Sequence, residues 1–124
     1  MTIRTHRTGT ITLDAATHTA TLPDVTGRVK CIAIKPSGTS TDFRISCSKA
    51  GITEYLFGES AVVSVAAAGV VIVPQKLAVD TDNGALTNTS NTYVDFILDS
   101  QDITIAVSNG AASETFSVEI IVEE

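Results

Sequence analysis

The chain holds 124 residues, 44% of them apolar but only 5% aromatic and none of them Trp, at a formal charge of −6. That length suits one domain with its own core and is short for two, and the apolar content excludes a disordered chain. An acidic chain with no strong basic cluster is repelled by nucleic acid, so no nucleic-acid partner is expected.

The charge is unevenly placed. Residues 1–50 carry seven Lys and Arg against three acids, a balance of +4, while residues 51–124 carry only Lys76 against eleven acids, a balance of −10. Such a split suggests self-assembly in which one face of a subunit meets the opposite sign on its neighbour. The plainer reading is that charges fall where loops fall.

In chain order, the opening Met1-Thr-Ile-Arg-Thr-His-Arg-Thr lacks the apolar centre of a secretory signal, so a reducing cytoplasm is the expected place of synthesis and assembly. Residues 1–8, basic and without an apolar partner of their own, read as an N-terminal arm before a single domain over residues 9–124. Ile3, Arg4 and Arg7 are the arm's candidate contacts with a neighbour, and a frayed terminus is the alternative.

Ile11 and Leu13 then alternate with threonines, residues 14–16 turn, and His18, Ala20 and Leu22 follow, which reads as a β-hairpin. Residues 28–35 form a strand closed by Pro36-Ser-Gly, and residues 42–48 another closed by Lys49-Ala-Gly. Residues 54–57 are a short strand and residues 93–98 a firmer one. Ile103, Ile105 and Val107 alternate with smaller polar or Ala positions, as do Phe116, Val118, Ile120 and Val122 with Ser117, Glu119 and Glu123. Asn109 and Gly110 between them tolerate positive φ, so this pair reads as a second hairpin. Period two dominates, β-branched residues are frequent, and no helical window carries caps at both ends. The expected fold is all-β: an antiparallel β-sandwich or jelly-roll-like barrel of eight or nine short strands.

Residues 60–75 contain no charge at all. The run is shorter than the roughly 20 residues of a bilayer span, so no membrane partner is expected. Valine density, Gly69 and Pro74 disfavour a helix. Two strands remain, residues 61–66 and 70–73. Val70, Val71, Ile72 and Val73 are apolar on both faces, so one face belongs on the core and the other needs a cover. A second subunit is the favoured cover, which makes these four the candidate subunit interface. The polar loop of residues 80–92 is its intramolecular rival.

Residues with chemistry are few. Asp14, His18 and the many serines form no recognisable nucleophile motif. His18 reads as packed on the sheet with Ala20 and Leu22, and His6 as part of the arm. Cys31 and Cys47 read as small buried side chains, with a cross-strand disulfide as the alternative under oxidising conditions. Two cysteines and two distant histidines make no zinc site. Asp80-Thr-Asp-Asn-Gly84 resembles the start of a calcium loop, but its glycine comes one place early and Asn91 stands where the closing Glu is required. No metal and no cofactor are therefore assigned. The aromatic residues fall inside strand patterns, leaving few rings to stack on sugars; Tyr55 and Tyr93 are the ones to test.

The block from Gly27 through Cys31-Ile-Ala-Ile-Lys-Pro36 to Ser46 resembles small virion proteins of tailed phages, as do Pro74…Asp80-Thr-Asp-Asn-Gly84 and Asp102-Ile-Thr-Ile-Ala-Val-Ser-Asn-Gly-Ala-Ala. The likeness is greatest to capsid decoration, or cement, proteins and covers residues 27–122. The resemblance implies a β-sandwich or barrel subunit, homo-oligomeric and often trimeric, that sits on the capsid surface and ties neighbouring major capsid proteins together. It implies no catalytic residue, because such proteins work through surfaces. A head–tail connector, collar or tail component is the alternative, and a carbohydrate- or cell-surface-binding β-module is the alternative from another class.

Overall fold

A computed structural model describes residues 2–77 and 93–124. Its regular structure is all β: β1 (Ile3–Arg7), β2 (Ile11–Thr12), β3 (His18–Pro36), β4 (Thr41–Lys49), β5 (Ile52–Phe57), β6 (Val63–Val65), β7 (Val70–Ile72), β8 (Gln75–Leu77), β9 (Tyr93–Asp95), β10 (Ile97–Ser108) and β11 (Thr115–Glu123). Every pairing among them is antiparallel.

β3 organises the molecule. Its first half pairs with β10, from Val107 opposite His18 to Ile103 opposite Leu22. Its second half pairs with β11, from Phe116 opposite Pro36 to Ile121 opposite Cys31. The change of partner falls at residues 23–28, where the β10 register shifts and Asp24 and Gly27 take φ of 56° and 127°. A Cβ on Gly27 would stand 2.7 Å from the Glu123 carbonyl oxygen, so glycine alone fits this corner. One strand thus belongs to two layers. The first layer is β1 and β2 on β11, then the second half of β3, then β7. The second is the first half of β3, then β10, β4, and β5 with β6 along the far edge of β4.

Alternation explains why the layers face each other. Phe43, Ile45 and Cys47 of β4, Ile103, Ile105 and Val107 of β10, and Phe116, Val118, Ile120 and Val122 of β11 all point inward and are buried. The Phe43 and Phe116 rings, from opposite layers, meet edge to face at 5.7 Å between centroids. Each such side chain contributes about 1.5–3 kcal/mol by leaving water. Gln101, buried at the β10 bulge, donates to the Ser48 carbonyl at 3.2 Å and accepts from the Asp99 N–H at 3.3 Å, so its amide is satisfied. The arrangement is sandwich-like and does not close into a barrel, because β1 and β5 end the strand order without meeting.

Three expectations about connectivity are corrected. β10 and β11 form no hairpin, since each takes β3 as its partner and their link crosses between the layers. The turn over residues 14–16 likewise joins β2, paired to β11, with β3, paired to β10. These two links hold each other instead: the Leu13 N–H donates to the Glu114 carbonyl at 2.8 Å and the Gly110 N–H to that of Ala16 at 3.1 Å. Finally, the segment read as an arm is an edge strand of its own chain, with Ile3 opposite Glu123 and Arg7 opposite Glu119. The β4–β5 pair is a hairpin, turning at Ala50 and Gly51, both at positive φ.

Candidate interaction surface

The uncharged run supplies β6 and β7. β6 continues the far edge of β4, with Phe43 opposite Val63 and Thr41 opposite Val65. The chain then turns at residues 66–69, where the Gly69 N–H donates to the Ala66 carbonyl at 2.8 Å and the Lys35 ammonium donates to the Ala67 carbonyl. Gly69 sits at φ 81°, and a Cβ there would lie 2.8 Å from the Ile34 carbonyl oxygen. That close approach lets β7 pair with β3, Val70 opposite Ile34 and Ile72 opposite Ile32.

Val70 and Ile72 turn inward and pack against the core. Val71 and Val73 turn outward, 70% and 62% exposed. The strand is therefore extended with one face on the core, and its other face lies in solvent. The loop of residues 80–92, its rival cover, lies outside the described residues, as does the Asp80–Gly84 segment. Val62 and Val63 are exposed as well, and with Val73 and Pro74 they rim an open groove of about 560 Å³ whose wall includes Tyr55 and Phe57.

The arm residues are placed by charge. Arg4 pairs with Glu124 at 2.7 Å and Arg7 with Glu119 at 3.0 Å, while Ile3 stays 55% exposed. Arg28–Asp95, Lys30–Glu123 and Lys49–Asp99 follow the same rule, a cation from the first 50 residues facing an acid from the rest. The +4/−10 split, read as a sign of contact between subunits, is thus spent largely within the chain, because β1 and β3 of the basic half lie beside β10 and β11 of the acidic half. Each of these exposed pairs contributes about 0–1 kcal/mol.

The remaining candidates are structural in their surroundings. The His18 ring meets Phe116 edge-on at 5.9 Å. Arg44 stacks over Tyr55 at 4.0 Å and donates to the Glu59 carbonyl at 2.7 Å. Tyr93, by contrast, is exposed. Cys31 is half-buried, Cys47 buried, and both are free thiols. Burial pushes the Cys47 thiol up, the nearby Glu54 carboxylate adds to this, and Lys76 and Gln101 oppose it. A thiol so held stays protonated and unreactive near neutral pH. Among the described residues no group of three His, Cys, Asp or Glu stands close enough to hold a metal ion. No helix there is long and apolar enough to cross a membrane.

Sequence reasoning missed β1, β8 and the pairing of β8 with β9, whereas Tyr93–Asp95 falls within the strand expected over residues 93–98. Gln75-Lys76-Leu77 has three residues, too few to show a period. No family model, no curated protein and no solved structure matches the chain.

Proposed function

We propose that the protein is a non-enzymatic decoration subunit of a phage capsid, which docks on the major capsid protein through the uncharged surface of residues 60–75. One observation carries this reading: the least charged stretch of the chain leaves Val62, Val63 and Val73 in solvent around an open groove. Contiguous exposed apolar surface of this kind marks interaction sites on folded proteins. The rigid layers behind it suit a part that works by contact, since β6 and β7 are each anchored to a long core strand. A modest apolar contact, repeated around a lattice, becomes firm by avidity. A connector, collar or tail position would use the same surface, and electron microscopy of virions separates these places.

The test is co-sedimentation of the purified protein with capsids lacking it. Saturable binding that persists as salt rises is expected, because residues 60–75 carry no charge. Val62→Asp and Val73→Asp should each weaken it at least about tenfold, the cost of seating a charge in an apolar contact. Absence of binding, or binding indifferent to both changes, overturns the reading.

A further inference from the structure

We propose that Asn109–Gly110 is a self-modification site restrained by the fold: Asn109 loses its side-chain amide to attack by the Gly110 nitrogen only while the joint between the two layer-crossing links is open. In an Asn-Gly pair the glycine nitrogen can reach the Asn side chain, because a residue without a Cβ leaves that approach uncrowded. The nitrogen gives up its proton to solvent and forms a bond to the Asn109 Cγ. The side-chain nitrogen takes up a proton and leaves as ammonia, which closes a succinimide ring. Water, the only co-reactant, then opens the ring at one carbonyl or the other. The products are aspartate and isoaspartate, the latter with its main chain routed through the side-chain carbon.

The sequence holds two Asn-Gly pairs, Asn83–Gly84 and Asn109–Gly110, and the first lies outside the described residues. Around the second, the leaving group is open and the nucleophile is withheld. Asn109 is exposed, and its Nδ2 has only a long contact, 3.5 Å, with the Ser40 carbonyl. The Gly110 N–H, in contrast, donates to the Ala16 carbonyl at 3.1 Å. Attack needs that nitrogen deprotonated and aligned with the Asn109 Cγ at contact distance, whereas the bond to Ala16 retains the proton and fixes the peptide plane. Leu13 adds a steric restraint. It is 2% exposed, and a Cβ on Gly110 would lie 2.6 Å from its Cδ1, so it packs directly on the Gly110 backbone. The peptide cannot swing toward Asn109 without displacing this core side chain. Leu13 is itself tied on both sides, its N–H to the Glu114 carbonyl at 2.8 Å and its carbonyl to the Ser113 N–H at 2.9 Å. Reaction therefore waits for local opening of the joint. Isoaspartate, once formed, adds a methylene to the main chain before Gly110, which carries the Gly110 N–H off its Ala16 partner.

The test uses the full chain with Asn83→Gln, which leaves Asn109–Gly110 as its one Asn-Gly pair. Conversion at residue 109 is followed by site-resolved mass spectrometry in mildly alkaline buffer, both folded and in guanidinium. Folded chains should convert at least about tenfold more slowly, and by the same factor as the Gly110 amide is protected from hydrogen exchange, since both processes wait for one opening. Chains converted in guanidinium and then diluted out of it should refold to a lower denaturant midpoint than unconverted chains, with faster exchange at Leu13 and Ser113. Equal conversion rates in the two states overturn the proposal. So do a slowing that departs from the Gly110 protection by more than about tenfold, an absence of conversion in guanidinium, and converted chains as stable as unconverted ones. The result is independent of the capsid role, because residues 109 and 110 lie outside the groove.

Discussion

β11 and the run of residues 60–75 show opposite relations between composition and burial. β11 contains Glu119 and Glu123, yet Phe116, Val118, Ile120 and Val122 are all buried. The run of residues 60–75 has no charged residue, yet only Val65 and Pro74 are fully buried, Val70 and Ile72 pack partly against the core, and Val62, Val63, Val71 and Val73 face water. Alternation, not apolarity, carries side chains into the core. A strand with polar residues on every second position has one face free for solvent and commits the other fully. An evenly apolar strand has no such bias, and it fills the sheet edges left over when the long strands have paired.

The strongest test of that contrast is Phe116→Ala, which should cost about 3–5 kcal/mol in denaturant unfolding, because the ring joins both layers. A loss under about 1 kcal/mol would mean that the two layers do not share a core. Gly27→Ala should cost about 1–3 kcal/mol, from positive φ and the approach to the Glu123 carbonyl, and shows whether the corner is as tight as the layers require. A third effect is confined to alkaline solution. The folded Cys47 thiol is raised above its unfolded value, so the fold holds more protons than the unfolded chain between the two values. Stability is then fully present below about pH 9 and falls as pH climbs through the folded value. Cys47→Val should remove that share of the decline; an unchanged pH profile would refute it.

Arg7→Ala should cost no more than about 1 kcal/mol, since its pair with Glu119 is exposed, and should loosen β1 before the rest. Hydrogen exchange at Thr5 and His6 checks this. The smallest effect belongs to Val71→Ser, within about 0.5 kcal/mol of wild type by thermal unfolding under monomeric conditions. A larger loss would show that Val71 packs against something in its own chain.

Much of the fold was legible along the chain. The alternations of Phe43–Cys47, Ile103–Val107 and Phe116–Val122 marked both the strands and their buried sides, and Gly69 with Pro74 marked the uncharged run as extended rather than helical. Turn chemistry was legible too, at Ala50-Gly51 and Asn109-Gly110. Asn109 does take positive φ, but the strand it leads into lies beside β3 and not beside β10. A turn residue reports that the chain changes direction, not where it lands. The edge strand β1 was hidden because its five residues gain their place from partners more than 110 positions away.

By itself the sequence determined an all-β chain, its principal strands and the inward side of each, because a period of two in side-chain polarity is a local property. Only the tertiary structure decided which strands meet. The length of β3 lets it serve two partners, and its corner at Gly27 folds one strand order into two layers. It also decided that five cations of the basic half would pair with acids of the other half and that much of the most apolar run would stay at the surface. Pairing depends on contacts distant in sequence, and the long alternating strands fill the interior because each buries a whole face.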